Sequence, residues 1–121
     1  PKTEINLSGG EQKRDFVYVK DVCDSYIGAL KWATNNNFRY KTIEIGTGKP
    51  VSLKDFVVCI KETAKNDKTK LNFGALPYRV DEIMLSKADT CELSNMVNVD
   101  KFLSFQDGIK NIICYYQAKE K

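Results

Sequence analysis

Apolar positions recur with a helical period in three stretches of this chain. Val22, Tyr26, Ala29, Leu30 and Ala33 predict a helix over about 22–34, with Trp32 off the stripe and suited to a second surface. Leu53, Phe56, Val57, Ile60 and Ala64 predict a second over about 52–64, opened by Ser52 and Asp55 as a capping box. Phe105, Ile109, Ile112, Ile113 and Tyr116 predict a third over about 105–117, with Ser104 and Asp107 in the same capping relation. Asp21 stands where the first helix should be capped. Strand signals are shorter. Ile5 and Leu7 alternate with polar neighbours, Phe16–Val19 is an aromatic and β-branched run, and residues 41–45 lead into the turn Gly46-Thr47-Gly48. Residues 70–73 form a fourth candidate strand, 74–82 a Gly/Pro-broken loop, and 89–95 a short helix. The pattern is α/β, with few short strands and three main helices.

Composition narrows the function classes. At 121 residues the chain is one domain's worth, and its net charge of +3 suits an anionic ligand without demanding nucleic acid. The lysine-rich 61–70 stretch lacks the interleaved aromatics of a nucleic-acid platform, which disfavours a small RNA-binding domain. No apolar run is long enough to span a bilayer, and no signal-peptide pattern opens the sequence. The start at Pro1, without methionine, suggests a fragment or a cleaved product. Four widely spaced cysteines and no histidine argue against a metal site or a disulfide framework. They fit core positions of a reduced, cytoplasmic protein.

The candidate chemistry is cationic. Arg14 lies between the Gly9-Gly10 turn and an apolar run, where a guanidinium can grip a phosphate by paired hydrogen bonds. The plainer alternative pairs it with Asp15 on the surface. Arg79 follows Pro77-Tyr78 in a loop, and the two arginines could converge on one diphosphate. Glu82, three residues on, could accept hydrogen bonds from sugar hydroxyls. Gly46-Thr47-Gly48 lacks the third glycine of a dinucleotide fingerprint and is expected to be a structural turn. No acid–base or nucleophilic set is visible, so no catalytic residue is assigned.

The segment from Gly10 through Gln12, Arg14, Asp15, Phe16 and Tyr18 to Val22 resembles the extended short-chain dehydrogenases/reductases, the NAD(P)-dependent nucleotide-sugar epimerases and dehydratases. Further matches follow in the family's order. They are Ile45-Gly46-Thr47-Gly48 with Ser52, Pro77-x-Arg79-x-x-Glu82, Ala88-Asp89, and Asp107-Gly108-Ile109. The Leu76-Pro77-Tyr78-Arg79 wording is closest to the synthases of CDP-linked deoxysugars for O-antigens. Glu44 stands where the family has asparagine, and Leu93-Ser94-Asn95 where it has Leu-Gly-Trp.

The resemblance implies an incomplete piece of that fold. Residues 1–121 would be a carboxy-terminal, substrate-binding portion, including the last helix–strand unit (about 17–46) of the nucleotide-binding sheet. It implies that Arg14 and Arg79 hold a nucleotide diphosphate, that Glu82 contacts the ribose, and that Gln12 lies on the substrate side. The family's glycine loop and Tyr-x-x-x-Lys are absent from the sequence, so NAD or NADP would be bound by the rest of the parent and none by this chain. The expected partners are a nucleotide-diphosphate sugar and a second copy of the chain, since a strand without sheet neighbours leaves backbone groups and an apolar face uncovered. The alternative is a non-catalytic dimerisation or interaction module derived from such an enzyme.

Overall fold

The computed structural model describes residues 3–37 and 40–120. Three helices carry the fold: α1 (Val19–Asn35), α2 (Leu53–Thr63) and α3 (Phe105–Lys119). The strands are short and pair in twos. β1 (Glu4–Asn6) runs parallel to β4 (Lys70–Asn72), with Ile5 opposite Leu71. β2 (Lys13–Arg14) runs antiparallel to β3 (Val51–Ser52), and Lys13 also bridges Leu85.

The N-cap half of each expected capping box forms. Ser52 Oγ accepts from Asp55 N at 3.0 Å, and Ser104 Oγ from Asp107 N at 3.2 Å, which satisfies one otherwise orphaned amide at each helix start. α2 and α3 meet through an aromatic column. Phe16 stacks on Phe56 at 3.8 Å between centroids, and Phe56 lies 6.2 Å from Phe105.

Several expectations are corrected. The runs at 16–19 and 41–45 join no sheet among the described residues, because no neighbouring strand is there to complete their ladders. The short helix expected over 89–95 reduces to a 3-10 turn at Leu93–Asn95, and a second turn forms at Val99–Lys101. Asp21 is not the cap of α1. Tyr18 takes that place without a side-chain bond, and Asp21 sits inside the first turn, buried, accepting from Leu103 N at 2.9 Å.

The orientation of α1 also differs from the sequence expectation. Its inward face is polar and small. Asp21 and Ser25 are buried, Ser25 Oγ donates to Asp21 O at 2.7 Å, and Gly28 packs against the backbone at Met96. On the opposite face Val19, Tyr26, Ile27 and Leu30 are all more than half exposed. Of the apolar stripe, Tyr26 and Leu30 therefore point outward, while Val22, Ala29 and Ala33 are half-buried. Buried apolar side chains amount to Leu93 and Ile109 among the described residues.

Candidate functional site

The glycine turn and the 76–86 loop build one cleft together. Gly10 adopts φ +73°, a conformation that glycine enters without penalty, and its carbonyl accepts from Lys54 N at the start of α2. Gly9 lies under Tyr78, whose hydroxyl would sit 2.5 Å from any Cβ placed there. That hydroxyl accepts from Glu11 N at 3.0 Å. At its far end the loop is stitched to β2: Lys13 N donates to Met84 O at 2.8 Å and Ser86 N to Lys13 O at 3.1 Å.

Between these two attachments lies a cleft of about 380 Å³, lined by Ser8, Gln12, Leu53, Tyr78, Arg79 and Glu82 among others. Gln12 is buried, and its Oε1 has no hydrogen-bond partner, while Nε2 reaches Ser8 Oγ at 3.4 Å. Arg79 is exposed, and its guanidinium makes no hydrogen bond or ion pair among the described residues. Arg14 stands beside the cleft and is engaged. Nη2 pairs with Glu82 Oε1 at 2.7 Å, and Nη1 donates to Ile83 O at 2.6 Å and Lys13 O at 2.9 Å. The side chains of Arg14 and Glu82 are 29% and 17% exposed, so the pair is partly sheltered from water.

The structure thus brings Gln12, Arg79 and Glu82 to one cleft and ties Arg14 to Glu82. The surface pairing of Arg14 with its neighbour Asp15 does not occur. Asp15 serves a different part of the molecule. Its carboxylate accepts from Thr47 N (2.9 Å), Thr47 Oγ1 (2.6 Å), Gly48 N (2.8 Å) and Ala88 N (3.1 Å). Burial pushes its pKa up, but the bonds from Thr47, Ala88 and Gly48 outweigh that and hold it below the usual carboxylate value. Sequence reasoning missed this hub, because nothing local links position 15 to 47 or 88. Glu44 extends the same seam by accepting from Asp89 N at 2.7 Å.

The Thr47 and Gly48 amides are spent on Asp15, so this turn does not fit a cofactor phosphate, and no NAD(P) contact is assigned to it. Among the described residues no group of three or more His, Cys, Asp or Glu side chains could hold a metal ion, and no helix is long and apolar enough to cross a membrane. The four cysteines are unpaired and, against expectation, none is a core residue: Cys23, Cys91 and Cys114 are exposed and Cys59 is half-buried.

No protein-family model matches the chain. It is 37% identical over 111 residues to CDP-abequose synthase of Salmonella muenchen, covering 91% of this chain and 36% of that protein. It is 34% identical over 110 residues to CDP-abequose synthase of Salmonella typhimurium, covering 90% and 36%. The UDP-glucuronic acid 4-epimerase of Bacillus cereus, solved with UDP-glucuronic acid and NAD, superposes with a TM-score of 0.75 at 24% identity, over 95% of this chain and 35% of that one. The chain spans about a third of the length of the curated relatives it matches. These likenesses support its identification as a carboxy-terminal fragment of an NAD-dependent extended short-chain dehydrogenase/reductase.

Proposed function

We propose that this chain supplies the nucleotide-diphosphate-binding wall of an NAD(P)-dependent nucleotide-sugar epimerase, dehydratase or reductase of surface deoxysugar synthesis. The observation that carries the reading is the meeting of Gln12, Arg79 and Glu82 around one cleft, with Arg14 held to Glu82 across 68 positions of sequence. Arg79 offers a guanidinium with no competing partner to an anionic ligand, and charge-assisted bonds to phosphate are about twice as strong as neutral ones. Arg14 adds charge at the cleft's edge, and Glu82 faces the ribose. The chemistry and the cofactor belong to the remainder of the enzyme; NAD(P) supplies hydride transfer there. Unpaired thiols suit a reduced, cytoplasmic setting.

We further assign residues 17–46 to the edge of the nucleotide-binding sheet of the parent. Exposed surface supports this. The chain presents 9158 Å², against about 6,600 Å² for a self-contained protein of its mass. The excess, about 2,500 Å², is on the scale of a large obligate interface. The outward stripe of α1 is where a neighbouring layer would rest. The same bare surface favours self-association when the chain is alone, the second reading; sedimentation of the chain alone and within its complete protein separates the two.

The functional test is calorimetric titration of the intact protein with CDP, UDP, ADP and GDP, followed by mass spectrometry of the sugar nucleotides it retains from a mixture. Saturable binding of at least one diphosphate, weakened in Arg79→Gln, is expected. Binding of none of them defeats the proposal in favour of the interaction module.

A further inference from the structure

We infer that Tyr78 is a positioning residue, whose hydroxyl latches the 76–86 loop onto the glycine turn and so sets where Arg79 stands. The inference rests on the functional reading above and adds a device that lies outside the ligand's own contacts. From 74 to 81 every residue is exposed except Tyr78, which is half-buried. Its ring reaches back 67 positions to Glu11, whose amide donates to the hydroxyl oxygen at 3.0 Å.

The seat for that oxygen exists because position 9 has no side chain. A Cβ on Gly9 would stand 2.5 Å from Oη, 3.3 Å from Cζ and 3.7 Å from Cε2 of Tyr78. The conflict is with the oxygen; a ring without it need shift by only a few tenths of an ångström. The turn beneath is itself held. The carbonyls of Gly10 and Gln12 accept from Lys54 N and Leu53 N, at 2.9 and 3.0 Å, where α2 begins. Along the loop the neighbouring attachments to the scaffold are Leu76 N on Leu7 O at 3.1 Å and Glu82 on Arg14 at 2.7 Å. Arg79 O accepts from Glu82 N at 3.2 Å, but that bond lies within the loop and moves with it. Among the described residues the Tyr78 hydroxyl is therefore the hold on the scaffold nearest to Arg79 in sequence. Without it the ligand must order the loop as well as the arginine side chain, which costs affinity.

The test compares the intact native protein with Tyr78→Phe, Gly9→Ala, the two together, and Tyr78→Phe combined with Arg79→Gln. Hydrogen–deuterium exchange needs no ligand. Tyr78→Phe removes one atom and keeps the ring, so it should melt within about 2 °C of native. Exchange over 9–12 and 78–82 should quicken in it by about fivefold. Unchanged exchange, or a larger fall in melting temperature, overturns the inference. Affinity is read by calorimetry with CDP, UDP, ADP and GDP, and the tightest binder is carried through the variants. Tyr78→Phe should weaken it by about fivefold alone and by less than about twofold in the Arg79→Gln background. Gly9→Ala should weaken it at least as much where Tyr78 is present, yet add less than about twofold to Tyr78→Phe, because the oxygen it would strike has gone. Additive losses in either pair overturn the inference, since a merely structural role predicts them. Native protein that binds none of the four diphosphates defeats the functional reading, and exchange then still decides the latch by itself.

Discussion

Replacing Asp15 by asparagine tests the reading that a single carboxylate ties three distant segments together. The native carboxylate accepts four hydrogen bonds, two on each oxygen, at 2.6–3.1 Å. Asparagine keeps one acceptor oxygen and turns an amide nitrogen toward donors that it cannot satisfy. Bonds to a charged group are worth up to about 3 kcal/mol each, but this carboxylate is only half-buried and water replaces part of what is lost. Two bonds removed and two weakened come to about 2–3 kcal/mol. For a chain of this length that lowers the melting temperature by about 6–15 °C.

The assay is thermal unfolding followed by circular dichroism, native against variant, from pH 7 to pH 3. Because the folded carboxyl titrates below its ordinary value of 3.8, its contribution is complete above that value and is lost as the pH falls through the lower, folded one. The gap between native and variant should therefore hold from pH 7 to about pH 5 and close below about pH 3.8. A variant melting within about 1 °C of native at pH 7 would refute the hub, and so would a gap that persists undiminished in acid.

Three further outcomes are expected. Arg79→Gln should weaken CDP binding by about tenfold or more and flatten its salt dependence, read by calorimetry at two ionic strengths. Ser104→Ala removes the α3 cap and should cost about 1 kcal/mol, a melting shift of about 3–5 °C, whereas an exposed control such as Lys110→Ala should shift it by less than half as much. The 121-residue chain produced alone should self-associate, and Leu30→Glu on the outward stripe of α1 should restore monomers in sedimentation.

The helices were legible because their signals are local. Ser52 and Ser104 stand three residues before the aspartates whose amides they accept, and the periodicity of α2 and α3 fixed their extents to within about two residues. The strands were not, because a strand exists only through its partner. Residues 16–19 and 41–45 have strand composition without strand pairing, whereas Lys13–Arg14 and Val51–Ser52 pair with little local signal. The apolar stripe of α1 was legible as a stripe, but the side on which it lies depends on Asp21, Ser25 and residues 96–103, far along the chain. In the candidate site, residue types pointed to cations and a carboxylate. That Arg14 would turn from adjacent Asp15 to Glu82 is a matter of folding, invisible in spacing.

The two-ended attachment of the 76–86 loop bears on how such a site diversifies. Tyr78 is fastened at one end, and Ile83, Met84 and Ser86 at the other. The three residues 79–81, ahead of the Glu82 that is itself tied to Arg14, hang from both anchors like a cassette in a frame. Length or charge can be exchanged within that cassette while the frame stays seated, so new ligand preferences can be acquired there without renegotiating the scaffold.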